Sequence, residues 1–315
     1  MKLRGSSRMD VTFAVASFNS GKYLEECVNS ALSQVGIACE VIIVDDGSTD
    51  GSDALAQRLA EVDERVRFFR TPSNRGPGGA RNIALENMRG DWYAVLDSDD
   101  LLVPERSERL IAAAKARGAN MVADDLHLFG EGMETTAFLV GSNLPDTLVT
   151  LDRYFEDSAM YGPAPNPGFL KPMIARALIE ETGIRYDEKL RVAEDDDLII
   201  RLLMEGGRYY VAPEAGYLYR KHEQSISHRL SPKHAAAMGE RAKTLELDVK
   251  DAGLESPAFR TRQNAMRQAV AFTLAIEALK AGKPLAAMGE VLREPASIRH
   301  FAMPIKARLK RFAGS

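Results

Sequence analysis

Four short apolar runs punctuate the first hundred residues, at 11–16 (VTFAVA), 40–44 (EVIIV), 66–70 (VRFFR) and 92–96 (WYAVL). Each reads as a strand; 11–16 and 40–44 read as buried, and 92–96, bounded by the turn pair Gly90-Asp91, as buried on both faces. Between them the periodicity changes. Leu24, Cys27, Val28, Ala31 and Leu32 fall on one face of a helix over 23–34, and further helices are predicted over 54–62 and 80–88. Ser48, Thr49 and Asp50 are all capable N-caps for the 54–62 helix. The segment 71–79 (TPSNRGPGG) reads as a loop of turn formers. Strands alternating with helices predict a parallel sheet with right-handed crossovers, a nucleotide-binding type of half-domain.

The pattern is less regular further on. Residues 121–129 (MVADDLHLF) read as a strand with an acidic interruption, and 131–150 have weak periodicity. The proline-rich segment 161–172 cannot form a long helix and is predicted to line the open end of a crevice. A helix over 175–182 ends at Gly183, and 186–190 is a turn region. Leu198, Ile199, Leu202 and Leu203 give an apolar helical face after the acidic run 194–197 (EDDD). Strands are predicted at 209–212 and 217–220, followed by a polar loop at 221–228. From Pro232 onward the chain reads as alanine-rich charged helices over 233–251, 257–281 and 284–293. The tail 305–312 (IKARLKRF) sets basic residues beside Ile305, Leu309 and Phe312. It suits a membrane-surface helix or a solvated end, and its shortness favours the second.

Composition narrows the class. A chain of 315 residues accommodates one large α/β domain plus an appendage. A hydrophobic content of 45% and a charged content of 27% are those of an ordinary globular protein, and a net charge of -4 argues against nucleic-acid binding. Cys27 and Cys39 make neither a disulfide framework nor a structural zinc site. The opening MKLRGSSRMD has no apolar stretch of signal-peptide type, and no run approaches the roughly 20 apolar residues of a bilayer span. The expectation is a cytoplasmic protein whose membrane contact, if any, is peripheral.

The chemistry concentrates where the strands end. The 92–96 strand runs into Asp97, Ser98, Asp99 and Asp100, and the 40–44 strand into Asp45 and Asp46. In a parallel sheet these ends share one edge, the edge where open α/β sheets bind ligands. Three carboxylates at one strand end repel one another, and a Mg²⁺ or Mn²⁺ ion with a phosphorylated substrate relieves that repulsion. The same tetrad would also serve as a solvated acidic turn with Asp100 as a cap. Asp46 could accept hydrogen bonds from a base or ribose, although Asp45-Asp46 equally suits an Asx-turn. Arg75 and Arg81, beside the glycine-rich turn, suit a diphosphate or a solvated surface. One of Glu194 and Asp195 is the preferred general base, with Asp196 and Asp197 as capping residues. His222, after the last strand, is a candidate phosphate or metal contact. No G-x-x-x-x-G-K-[ST] or G-x-G-x-x-G follows a strand, so P-loop ATPases and dinucleotide-dependent dehydrogenases fit poorly.

Six segments in order, VASFNSGKYLEECVNSALSQ, EVIIVDDGSTDGS, NRGPGGARNIAL, YAVLDSDDLLVP, AEDDDLIIRLL and YRKHEQSIS, together resemble glycosyltransferase family 2, the inverting enzymes of the GT-A fold. The resemblance spans 11–227. It implies a Rossmann-like nucleotide-diphospho-sugar transferase fold with a mainly parallel sheet. The transferase domain would occupy 1–230, with a nucleotide-sugar half at 10–103 and an acceptor half at 104–230, and a helical extension would occupy 231–315. It also implies a nucleotide-diphosphate sugar donor, a UDP-sugar first among them, and Mg²⁺ or Mn²⁺. Carried over by position, Asp46 contacts the base, while Ala16, Phe18, Asn19 and Asp45 lie around the nucleotide. Ala16 stands where many relatives have a hydroxyl residue. Asp97, with Ser98, contacts the ribose or donor sugar. Asp99, helped by Asp100 and His222, holds the metal that bridges the diphosphate, which Arg75 or Arg81 also contacts. Asp195 falls at the catalytic base, with Glu194 beside it.

No Gln-x-x-Arg-Trp follows the acidic helix, which argues for transfer of single sugars rather than processive synthesis. The implied acceptor is a saccharide or lipid-linked saccharide in exopolysaccharide or surface-glycan assembly. Peripheral membrane contact through the C-terminal tail and homo-oligomerisation are compatible with it. The rival readings are a sugar-phosphate nucleotidyltransferase and a non-catalytic scaffold of a glycan assembly complex.

Overall fold

The computed structural model describes residues 9–162, 164–222 and 230–302. The first half alternates strand and helix: β1 (Met9–Ser17), α1 (Leu24–Leu32), β2 (Cys39–Asp45), α2 (Ser52–Val62), β3 (Val66–Arg70), α3 (Gly76–Asn87) and β4 (Gly90–Val95). The strands pair in parallel in the order β3-β2-β1-β4. Every residue of β2 is buried, which is why its sequence is a run rather than an alternation. The carboxylate near its start, Glu40, is satisfied by Thr12 Oγ1 at 2.7 Å and the Arg89 N–H at 2.7 Å.

The chain continues through β5 (Leu101–Leu102), α4 (Arg106–Arg117), β6 (Met121–Phe129), β7 (Thr136–Ala137), β8 (Thr147–Val149), α5 (Leu151–Asp157), β9 (Met173–Ala175), α6 (Arg176–Thr182), α7 (Glu194–Met204) and β10 (Tyr209–Arg220). These complete one sheet in the order β3-β2-β1-β4-β9-β6-β10-β5, with β7 on β6 and β8 on β10. The long pairings are parallel; the antiparallel ones involve two or three residue pairs each. β9 is the hinge of this topology, antiparallel to both β4 and β6.

Several elements differ from the periodicity-based expectation. α3 starts at Gly76 rather than near residue 80. Pro77 lies in its first turn, where a missing N–H costs nothing. Gly79 is required by crowding, since a Cβ there would lie 2.6 Å from Cβ of Arg75. β10 is one strand whose register against β6 shifts between Ala212 and Tyr217, not two separate strands. The N-cap of α2 is Gly51, while Asp50 accepts from the Ser52 N–H at 3.0 Å. Ser48 accepts instead from the Asn19 N–H at 2.9 Å, tying two loops together.

The chain divides into two compact units, Met1–Leu151 with Pro167–Ser225, and Asp152–Asn166 with Ile226–Ser315. The segment 152–166 thus joins the second unit, whereas the sequence reading places it in the transferase domain. In that unit α8 (Pro232–Asp251), α9 (Pro257–Lys280) and α10 (Pro284–Arg293) precede a 3₁₀ segment, Pro295–Phe301. Phe155 meets the Phe259 ring at 5.1 Å, and Arg262 donates to Ser158 Oγ at 2.9 Å. Ser231 and Ser256 cap α8 and α9. Among the described residues no helix is long and apolar enough to cross a membrane. The tail at 305–312 lies outside the described residues, as does all of the 221–228 loop beyond His222.

Candidate active site

Parallel pairing brings the ends of β1, β2 and β4 to one edge, with Ser17 beside Asp45. At the end of β1, half-buried Ala16 is followed by buried Ser17, then by exposed Phe18 and by Asn19, whose φ of 52° is left-handed. Asn19 Oδ1 accepts from the Thr49 N–H at 2.9 Å, which stabilises that turn. Asp45 is fully buried, and its Oδ2 accepts from Gly47 N at 3.2 Å and Ser48 N at 3.0 Å, an Asx-turn. Asp46 accepts from Thr71 Oγ1 at 2.9 Å, Arg75 N at 2.8 Å and Gly76 N at 2.6 Å. Its carboxylate therefore sits at the N-terminus of α3 and orders the loop before it. Arg75 makes a two-pronged contact with Glu188, at 3.1 and 2.6 Å.

Behind these loops lies a ring of charge, buried except at Asp97, whose side chain is 26% exposed. Arg81 donates from Nη2 to Asp97 Oδ1 at 2.6 Å and from Nη1 to Asp195 Oδ1 at 3.0 Å. Lys171 Nζ closes the ring, 2.8 Å from Asp97 Oδ2 and 3.3 Å from Asp195 Oδ2. Glu194 hangs from the same Arg81 nitrogen at 2.6 Å. Each oxygen of Asp97 and Asp195 thus faces a cation. Burial disfavours charge on Asp97, but Lys171 and Arg81 outweigh it and hold the carboxyl down at about 2. Burial likewise opposes charge on Lys171, yet Asp97 and Asp195 push its ammonium above the usual lysine range. Burial raises Glu194, with Arg81 offsetting only part of the effect. Arg81 is 4% exposed, so it is not presented to solvent beside the glycine-rich turn as its position in the sequence suggests. Its guanidinium is drawn inward because three carboxylates need it. Asp196 and Asp197 lie in the first turn of α7 and Ala193 is its N-cap; Asp197 pairs with Arg201 at 2.8 Å.

The acidic tetrad after β4 divides its labour. Ser98 is half-buried at the rim. Asp100 is buried and turned inward, accepting from Tyr217 Oη at 2.8 Å and from the Arg220 N–H at 2.7 Å. Burial, then Asp97 and Asp99, raise its carboxyl well above the usual range. Each of its two oxygens thus meets a protein donor. Asp99 remains partly exposed, its Oδ2 2.7 Å from His222 Nε2. Among the described residues no three His, Cys, Asp or Glu side chains converge as a metal cluster. Asp99 and His222 nevertheless fit an ion of the Mg²⁺ or Mn²⁺ kind, which is held by one or two side chains and completed by substrate phosphates.

Reasoning from sequence missed Lys171, Tyr217, Arg220 and Glu188. Lys171 carried one available signal: it is the only charged residue from 158 to 175. Arg220 fixes the rim, with its guanidinium 4.5 Å from the Tyr23 ring centroid and 4.6 Å from that of Phe129.

The model of the family described as Glycosyl transferase family 2 matches residues 12–147. The chain is 38% identical over 307 residues to the succinoglycan biosynthesis protein ExoO of Rhizobium meliloti, covering 96% of this chain and 87% of that protein. Among solved structures, S. aureus TarS 1-349 in complex with UDP-GlcNAc superposes with a TM-score of 0.61 at 23% identity, over 86% of this chain and 73% of that one. The mannosyltransferase PcManGT of Pyrobaculum calidifontis, in complex with GDP-Man and Mn2+, gives a TM-score of 0.53 at 18% identity, over 96% and 81% of the two chains. These likenesses show the GT-A fold that the sheet order describes. With a relative this similar over nearly its whole length, and strand ends that carry the acidic segments of the resemblance, the chain belongs to glycosyltransferase family 2.

Proposed function

We propose that this glycosyltransferase moves one sugar from a nucleotide-diphosphate donor, a UDP-sugar first among candidates, to a hydroxyl of a saccharide or lipid-linked saccharide. The transfer would invert configuration and serve exopolysaccharide or surface-glycan assembly. The observation that carries the reading is the pair Asp97 and Asp195, held together by two shared cations at the ligand-binding edge of the sheet. Asp195 takes the acceptor proton as the hydroxyl oxygen bonds to the anomeric carbon, and the diphosphate leaves with its electron pair. Glu194 is committed to Arg81 and supports the ring rather than reacting. Asp97 and Ser98 face the donor sugar or ribose. Asp46 serves the nucleotide by ordering the 71–76 loop. Arg75, exchanging Glu188 for a phosphate oxygen, is the diphosphate cation. A divalent ion at Asp99 and His222 would neutralise charge on the departing group.

The C-terminal part suits contact with an anionic membrane face on the cytoplasmic side. Residues 280–315 hold eight Lys or Arg and two Glu, a net of +6 in a chain of net -4. On α10, Leu285, Met288 and Leu292 follow one helical face and are exposed by 78%, 54% and 70%.

A thermal-shift screen of UDP-glucose, UDP-GlcNAc and GDP-mannose, with and without Mn²⁺, tests the donor class. One donor should raise Tm in a Mn²⁺-dependent way and release its nucleoside diphosphate when a lipid-linked saccharide extract is added. Pyrophosphate release from a nucleoside triphosphate and a sugar phosphate would instead indicate a nucleotidyltransferase.

A further inference from the structure

Lys171 reaches the charged ring from the residue just before Pro172 and β9. Its backbone is fixed from behind. Arg106, fully buried, donates from Nη2 to the Lys171 carbonyl at 2.6 Å. Arg106 is itself gripped by Asp124, with contacts at 3.0, 3.2 and 2.8 Å. A rigid chain of partners therefore runs from Asp124 on β6 through Arg106 to the lysine that touches Asp195.

We propose that Lys171 is the positioning residue for the base: it holds one oxygen of Asp195 while Arg81 holds the other, and so aims the carboxylate at the acceptor hydroxyl. This inference rests on the reading of Asp195 as the base. Lys171 lies closer to Asp97, at 2.8 Å, than to Asp195, at 3.3 Å. When Asp195 takes the acceptor proton and loses its charge, Lys171 keeps Asp97 as its counter-ion and no buried cation is stranded. Arg81 alone would leave Asp195 with one anchored oxygen, free to rotate away. A misplacement of about 1 Å in a reacting group costs on the order of 10²-fold in rate.

The test is a double-mutant cycle on kcat in the full chain. The probe is whichever of UDP-glucose, UDP-GlcNAc, UDP-galactose and GDP-mannose releases its nucleoside diphosphate fastest with a lipid-linked saccharide extract as acceptor. Lys171→Met should lower kcat by about 10–100-fold, clearly more than it raises donor KM, which the Lys171 contact with Asp97 also touches. Lys171→Arg should recover much of that loss. In the Asp195→Asn background, Lys171→Met should change kcat by less than about 3-fold, because the group it aims is gone. A full loss in both backgrounds would overturn the proposal, as would a donor KM that rises as much as kcat falls. Should circular dichroism show that the Met variant does not fold, Lys171→Gln, which keeps a donor and drops the charge, is read in the same cycle. Wild-type kcat in Asp195→Asn alone would refute the base assignment instead, an outcome distinct from additivity.

Discussion

Asp99 and Asp100 are adjacent in sequence yet have separate physical roles. Asp100 accepts from Tyr217 and the Arg220 backbone, so it locks β10 against the end of β4. Asp100→Ala would leave one buried and one partly buried donor without an acceptor, the buried one at roughly 1–3 kcal/mol, and thermal unfolding should show a lowered Tm. The Asp99 carboxylate lies against His222, while Arg220 Nε donates to the Asp99 backbone carbonyl at 2.7 Å. Asp99→Asn should keep Tm near wild type but weaken Mn²⁺-dependent UDP binding by about tenfold or more, since an amide supplies no negative charge. Calorimetry with UDP and Mn²⁺ measures this, and unchanged affinity would refute the assignment of the metal to Asp99. Among the nucleotide-side residues, Asp45 and Asp46 act in the structure on their own loops, as their turn-forming chemistry allows.

The elements of the first half were legible in the sequence because β2 is buried throughout, and β1 and β4 over most of their length, so that they appear as apolar runs, while β3 shows as a short run flanked by turn formers although it is partly exposed. α3 and β9 were less so, for physical reasons. The first turn of α3 is Gly-Pro-Gly-Gly, which propensity alone assigns to a loop; packing against Arg75 selects it. Gly79→Ala should therefore disturb the Arg75–Glu188 contact and cost about 1–3 kcal/mol in urea denaturation. β9 has three residues between Pro172 and α6, too few for any periodicity, yet it joins the two halves of the sheet. No element was assigned over α4, where Arg106 occupies a core position and breaks the apolar face. Arg106→Met should cost about 3–5 kcal/mol because it strands Asp124, a buried carboxylate whose main partner is Arg106. The carboxylates of the site were visible as clusters at strand and helix ends. The pairing with their cations was not, because Arg81, visible only as a candidate diphosphate contact, meets Glu194 across 113 residues of sequence, a pairing that only the folded topology creates.

At the scale of the whole molecule, the residues of the proposed site belong to the first unit and the run of positive charge to the end of the second. If residues 280–315 contact membranes, the purified chain should float with phosphatidylglycerol vesicles and not with phosphatidylcholine ones. Leu285→Glu should abolish that flotation without lowering Tm, because Leu285 is 78% exposed. The fold and the family rest on many residues, but the proposed reaction converges on one carboxylate, Asp195. The most direct measurement is therefore initial rate at saturating donor, paired with donor affinity, for wild type and Asp195→Asn. Turnover should fall by about 10²–10⁴-fold with donor affinity near wild type, the scale expected when a general base is removed. Wild-type turnover in Asp195→Asn would contradict the account.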